Sequence, residues 1–138
     1  MWTRALYGPE DLDDWTVGHD PGDNTQATAT RAAAGAGKRN VCTGFAFTIN
    51  GGASAPAAVS LACRIIDGAS GGATYLWQCR LALPATAGAV SGVISPPKWL
   101  VGSLNTAMTA EFSAAGGANT LECVTMEGCV RERLPRNE

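Results

Sequence analysis

Five residues of this 138-residue chain invite chemistry first: Cys42, Cys63, Cys79, Cys123 and Cys129. Thiolates can hold metal, attack as nucleophiles or pair as disulfides. The spacing disfavours the first two uses. There is no C-x-x-C, the gaps are irregular, and His19 is the only histidine. Zinc sites and thiol-redox motifs need closely spaced ligand pairs. His19 itself sits in the breaker-rich stretch "GHDPGDN", with no nucleophile placed beside it. "GAGKRN" echoes a phosphate loop, but Ala32 stands where the first glycine belongs and Arg39 where Ser or Thr belongs. "EDLDD" lacks the frame of a calcium loop and reads as a solvated face. Glu111 and Glu122 could be pictured as a pair of hydrolytic carboxylates, but alternation sets both on a wet sheet surface. No catalytic, metal or cofactor site is therefore expected.

The bulk properties narrow the class further. The charge of −2 is unevenly spread. Residues 1–24 carry Arg4 against six acids, a balance of −5, and the remainder carries nine bases against six acids, or +3. An acidic leading segment and no basic cluster make nucleic acid a poor partner. No apolar run approaches the ~20 residues of a membrane span, and "MWTRALYGPEDL" lacks the apolar centre of a signal peptide. With 17 glycines and only 7% aromatics, much of the apolar content is methyl-sized. Such a core buries little area per residue, so stability from subunit contacts or cross-links is expected.

The elements that would position these residues fall into three stretches: an N-terminal arm (1–24), a β body (25–130) and a polar tail (131–138). In the arm, "GPEDLDDW" predicts one or two helical turns, with Pro9 at the start and Leu12 and Trp15 on one side. Trp2, Tyr7, Leu12 and Trp15 then offer an aromatic and apolar surface, either for a partner or for folding back on the body. The body alternates with period two. Val41, Thr43, Phe45, Phe47 and Ile49 share one face, with Cys42 opposite; Val59, Leu61, Cys63 and Ile65 share another. Tyr75, Trp77, Cys79, Leu81 and Leu83 form a third set. Met108, Ala110 and Phe112, then Leu121, Cys123 and Thr125, are expected to point inward. "ATATRAA" reads as an edge strand, and Pro96-Pro97 separates "VSGVI" from "WLVGS". Such strands between Gly-rich turns predict an all-β fold, an antiparallel β-sandwich or jelly roll.

Register follows from mirroring about the turns. Around "DGASGGA", Cys63 meets Cys79, Ile65 meets Trp77 and Leu61 meets Leu81. The two thiols are then neighbours, either disulfide-bonded or packed as small apolar groups. Around Gly116-Gly117, Phe112 should meet Leu121 and Glu111 should meet Glu122. Cys123 and Cys129 share parity, too far apart along the strand to bridge. Cys129 is expected to be exposed at the end of the last strand.

Three stretches, "ATATRAAAGAGKRNVCTGFAFTI", "DGASGGATYLWQCRLALPATAG" and "AMTAEFSAAGGANTLECVTMEG", carry a resemblance. Over about residues 25–128 the chain resembles small β-rich virion proteins of tailed bacteriophages and prophages. The resemblance implies a structural component of the head, collar or tail with a sandwich or jelly-roll body, often trimeric. It implies synthesis in the host bacterial cytoplasm and residence in the virion. The expected role is a capsid decoration or cement protein bound to the major capsid protein or another virion protein. A collar, tail or baseplate fibre component is the alternative, and a host-glycan-binding module using Trp99 is another. Thiols kept reduced in the cytosol could oxidise after release. An odd count then favours a bond between chains, with Cys129 and Cys42 the leading candidates.

Overall fold

The computed structural model describes residues 13–95 and 98–132. Among them the strands are β1 (Asp14–His19), β2 (Thr28–Arg31), β3 (Lys38–Gly51), β4 (Val59–Asp67), β5 (Tyr75–Leu83), β6 (Val90–Ile94), β7 (Leu100–Leu104), β8 (Met108–Phe112) and β9 (Thr120–Glu132). They form two antiparallel sheets. Sheet A runs β1-β9-β3-β6, with β7 also paired to β3, and sheet B runs β2-β8-β4-β5. The protein is an all-β sandwich. Its strand order is compatible with a jelly roll in which β6 and β7 are two halves of one strand interrupted near Pro96-Pro97. Both halves lie at the sheet edge, where a missing backbone donor does no harm.

The core rests on few large side chains, as the composition requires. Phe47 and Phe112 are fully buried and meet edge-on at 5.5 Å between centroids. Phe45 lies 4.5 Å from the Trp77 ring, and Phe47 stacks on the same ring at 6.0 Å. Two rings of sheet A thus converge on one tryptophan of β5, and Phe112 of β8 packs on the second of them. Aromatic pairs of this kind add ~0.5–1.5 kcal/mol beyond the area they bury. The β4–β5 register agrees with the expected one: Leu61 pairs with Leu81, Cys63 with Cys79 and Ile65 with Trp77.

Bulges account for two departures from strict alternation. Between Cys42 and Gly44 the pairing of β3 with β9 shifts by one residue. The extra residue, Thr43, lets Cys42 and Phe45 both join the core, so Cys42 is not on the opposite face. A second shift beside Ile66 turns Tyr75 outward, where the Arg64 guanidinium lies 4.8 Å over its ring.

The pairing of β8 with β9 is a larger correction. These strands are not a hairpin: β8 joins β2 and β4 in sheet B, while β9 joins β1 and β3 in sheet A. The connection 113–119 crosses from one sheet to the other, a gap of roughly 10 Å that seven residues span easily. The inward face of β9 is therefore Glu122, Val124 and Met126, beside Ile49, Phe47 and Phe45. Leu121, Cys123 and Thr125 face outward. Burying Val124, Met126 and Val130 while Glu127 and Arg131 stay outside outweighs burying Leu121 and Cys123 with those charges, and it carries Glu122 inside as the cost.

The expected helical turn in the arm is also replaced where the structure describes it. Asp14 to His19 is strand, paired with β9 from Cys129 to Val124. Trp15 is buried in the core beside Gly128, with the Arg31 guanidinium 5.8 Å from its ring. A Cβ on Gly128 would lie 2.6 Å from the indole and would overlap the Val41 carbonyl oxygen, so only glycine admits this packing. Trp15 is thus core and not a docking residue. The other arm residues singled out, Trp2, Tyr7 and Leu12, lie outside the described residues. At the far end, β9 continues to Glu132, so the expected tail begins inside a strand.

Candidate functional site

The cysteines separate by environment. All five are free thiols. Cys42 is buried by the bulge, donates to the Gly44 carbonyl at 3.4 Å, and is pushed up to about 11 by burial, with Glu127 adding to the rise. Cys129, expected to be exposed, is 5% exposed on the outer face of sheet A, paired with the equally buried Val41 of β3. Cys42, in the core, and Cys129 are both buried, so neither presents an accessible thiol to another chain and their place as leading inter-chain links is withdrawn. The half-buried thiols are Cys79 and Cys123. Burial also raises Cys123, and Asp20 adds to this. Burial raises Cys63 and Cys79 as well, and the two share a hydrogen bond. None of these four has the lowered pKa of a reactive nucleophile.

The outer face of sheet A carries most of the large apolar side chains that are exposed among the described residues. Val90 is 69% exposed, Ile94 80%, Trp99 52% and Val101 51%. Alternation explains their direction: Val93 and Leu100 pack on the core, so Val90, Ile94 and Val101 point away from it. They follow one edge of the sheet, opposite Asn50, Ala46 and Val41 of β3. Beside Ile94 lies an open depression of about 270 Å³, walled by Thr125 and Glu127 and shallow because Gly44 and Ala46 are small. The edge is well anchored. Ser103 donates from its backbone N–H and its hydroxyl to the Asp67 carboxylate, at 3.0 and 2.6 Å, tying β7 to the end of β4. Trp99 is held by the Arg131 guanidinium 5.0 Å from its ring.

The outer face of sheet B is covered over β8 by its own chain, while Gln78 and Arg80 of β5 stay exposed. The tip of the β4–β5 hairpin folds back over β8, and Gly71, at φ 80°, turns its N–H onto Glu111. The Glu111 carboxylate accepts from Gly71 N at 3.0 Å, Ser70 Oγ at 2.5 Å and Thr28 Oγ1 at 3.1 Å. The Thr109 hydroxyl donates to the Gly68 carbonyl at 2.9 Å. Glu111 is therefore buried, not on a wet surface. Glu122 is buried too, but between the sheets. Its Oε1 accepts from Ala27 N at 2.9 Å and its Oε2 has no hydrogen-bond partner among the described residues. Burial pushes its carboxyl up to about 7, against backbone N–H groups of Ala27 and Gly116 that pull it down. The two carboxylates lie on opposite sides of sheet B and share no cleft.

The remaining sequence candidates have structural places. His19 Nδ1 accepts from Thr28 N at 3.0 Å, joining β1 to β2 at the corner between the sheets. "GAGKRN" is a turn into strand β3, closed by Lys38 N donating to the Gly35 carbonyl at 3.1 Å. It opens no helix, which a phosphate loop requires. Trp77 is half-buried, with its ring against Phe45 and Phe47, and so is a poor platform for a sugar. Among the described residues no three His, Cys, Asp or Glu side chains converge as a metal site would need. Sequence reasoning did not single out Val90, Ile94 and Val101. The alternation in "VSGVI" was a usable signal, because only one of its two apolar faces can be buried at an edge.

No protein-family model matches the chain, and no curated protein matches it.

Proposed function

We propose that this protein is a structural component of a bacteriophage virion, a decoration or cement protein that stabilises the head. The carrying observation is the row of exposed apolar side chains on the sheet A edge, Val90, Ile94, Trp99 and Val101. Exposed apolar surface gathered on one face marks a site of association. The depression beside Ile94 gives a partner side chain a place to lodge, and the outer face of sheet B, with Gln78 and Arg80 exposed, makes a polar, solvent-facing back. Sequence resemblance supplies the partner class, a major capsid protein or another virion protein, and the expected homotrimer. A cement protein binds only the assembled shell, so mass action converts that preference into particle stability.

The test is copy number. Purified protein is mixed with shells lacking it, and bound copies are counted after sedimentation. Hundreds per particle is the expected result. Tens or fewer would move the protein to a collar, tail or baseplate fibre, and no binding would overturn the reading.

A further inference from the structure

Two thiols in this fold are placed for each other. Cys63 of β4 and Cys79 of β5 are direct cross-strand partners. Directly opposed residues in an antiparallel pair have Cα atoms about 4.5 or 5.5 Å apart, both within disulfide range. Both side chains point to the space between the sheets, and the two thiols hydrogen-bond to each other. Their access differs. Cys63 is 0% exposed, because β8 flanks β4 on its other side. Cys79 lies on β5, the edge of sheet B, and is half-buried.

We propose that Cys63 and Cys79 are a redox-closed staple: a low-molecular-weight disulfide oxidises them to a bond within one chain, across the β4–β5 hairpin. Cys79 loses its proton, and its thiolate attacks one sulfur of the small disulfide. One thiolate leaves, and the other half stays on Cys79 as a mixed disulfide. Cys63 then loses its proton, attacks Cys79 Sγ and expels the second small thiolate. Two protein thiols lose two electrons and two protons, and one small disulfide becomes two thiols. The order is set by burial, since an external reagent reaches Cys79 and not Cys63. The raised pKa of Cys79 makes the first attack slow near neutrality and faster as pH rises. The inference is independent of the proposed virion role. It also accounts for the odd count: two cysteines pair, Cys42 and Cys129 are buried, and Cys123 remains the half-buried thiol.

The full chain is reduced, incubated with oxidised glutathione at several pH values, then denatured and alkylated for mass mapping. The expected result is two fewer alkylated thiols than the five present, a peptide joining Cys63 to Cys79, a monomer on a non-reducing gel, and a higher melting temperature. Cys79→Ser should lose the link and the gain in melting temperature, and Cys123→Ser should keep both. Five alkylated thiols after prolonged oxidation would overturn the proposal. So would glutathione retained on Cys79 with Cys63 still alkylated, or a covalent dimer that Cys123→Ser abolishes.

Discussion

The outer faces of the two sheets solve the same problem in opposite ways. Each sheet must present its non-core face to something. Sheet B covers part of that face with its own hairpin tip, over Ile66, Thr109 and Glu111, and meets the carboxylate with two donors from the tip and a third from Thr28 of β2. Sheet A leaves Val90, Ile94, Trp99 and Val101 exposed along one edge, next to a shallow depression. One face is partly covered by its own chain and polar elsewhere; the other keeps an apolar edge open. A chain this poor in large side chains leaves four of them at that edge, the surface on which the proposed docking rests.

The sharpest way to break the comparison is to undo the covered face. Glu111→Ala removes the acceptor for Thr28, Ser70 and Gly71. Hydrogen bonds to a charged group are worth ~1.5–3 kcal/mol each and do not add fully, so a loss of about 3 kcal/mol is expected. Urea denaturation measures it, and amide exchange at residues 68–74 should speed up. A change below about 1 kcal/mol would mean that the hairpin tip holds itself.

The open face should behave in the reverse sense. Replacing Ile94 and Val101 together by Asp should weaken shell binding by roughly 100-fold while unfolding free energy shifts by less than about 0.5 kcal/mol. Sedimentation and urea denaturation read the two quantities separately. A fall in stability without loss of binding would make this edge an ordinary part of the fold.

A third test concerns the space between the faces. The folded-state pKa of Glu122 is raised from 4.5 to about 7, so the folded chain holds a proton that the unfolded chain releases earlier. Stability from this group is present below about pH 4.5 and is lost as pH rises through about 7. Between pH 5 and 7 the loss should be roughly 2 kcal/mol. Glu122→Gln should flatten the profile in that window, which thermal melts across pH would show. The smallest effect is expected for Trp99→Ala, which removes the ring under Arg131. It should weaken shell binding by less than about tenfold with little change in melting temperature.

Legibility followed the range of the contact. The β4–β5 hairpin was readable from Leu61 to Ile65, because a short turn and period-two apolarity leave one register that buries Leu61, Cys63 and Ile65 with Leu81, but the shift beside Ile66 that turns Tyr75 outward was not. The same reasoning failed on "FSAAGGAN". That stretch has hairpin chemistry, but β9 gains more by lying along all of β3 than by returning beside β8. The Thr43 bulge hid the inward turn of Cys42, and the pairing of Trp15 with Gly128 hid a strand inside an acidic segment that reads as helix. The exposed edge was half-legible: the strands and Pro96-Pro97 were visible, but which apolar face stays outside depends on the partner sheet.

The sequence by itself determined the class of fold, the separation of strands by glycine turns, and the facing of Cys63 and Cys79. These rest on alternation and turn geometry, which act over a few residues. Only the tertiary structure decided which sheet each strand joins, that Glu111 and Glu122 are buried on opposite sides of sheet B, and that Cys42 and Cys129 are buried. Those outcomes depend on elements distant in sequence, across a gap of roughly 10 Å between sheets for Glu122 and Cys42 and beneath the β4–β5 tip for Glu111, where packing outweighs local pattern.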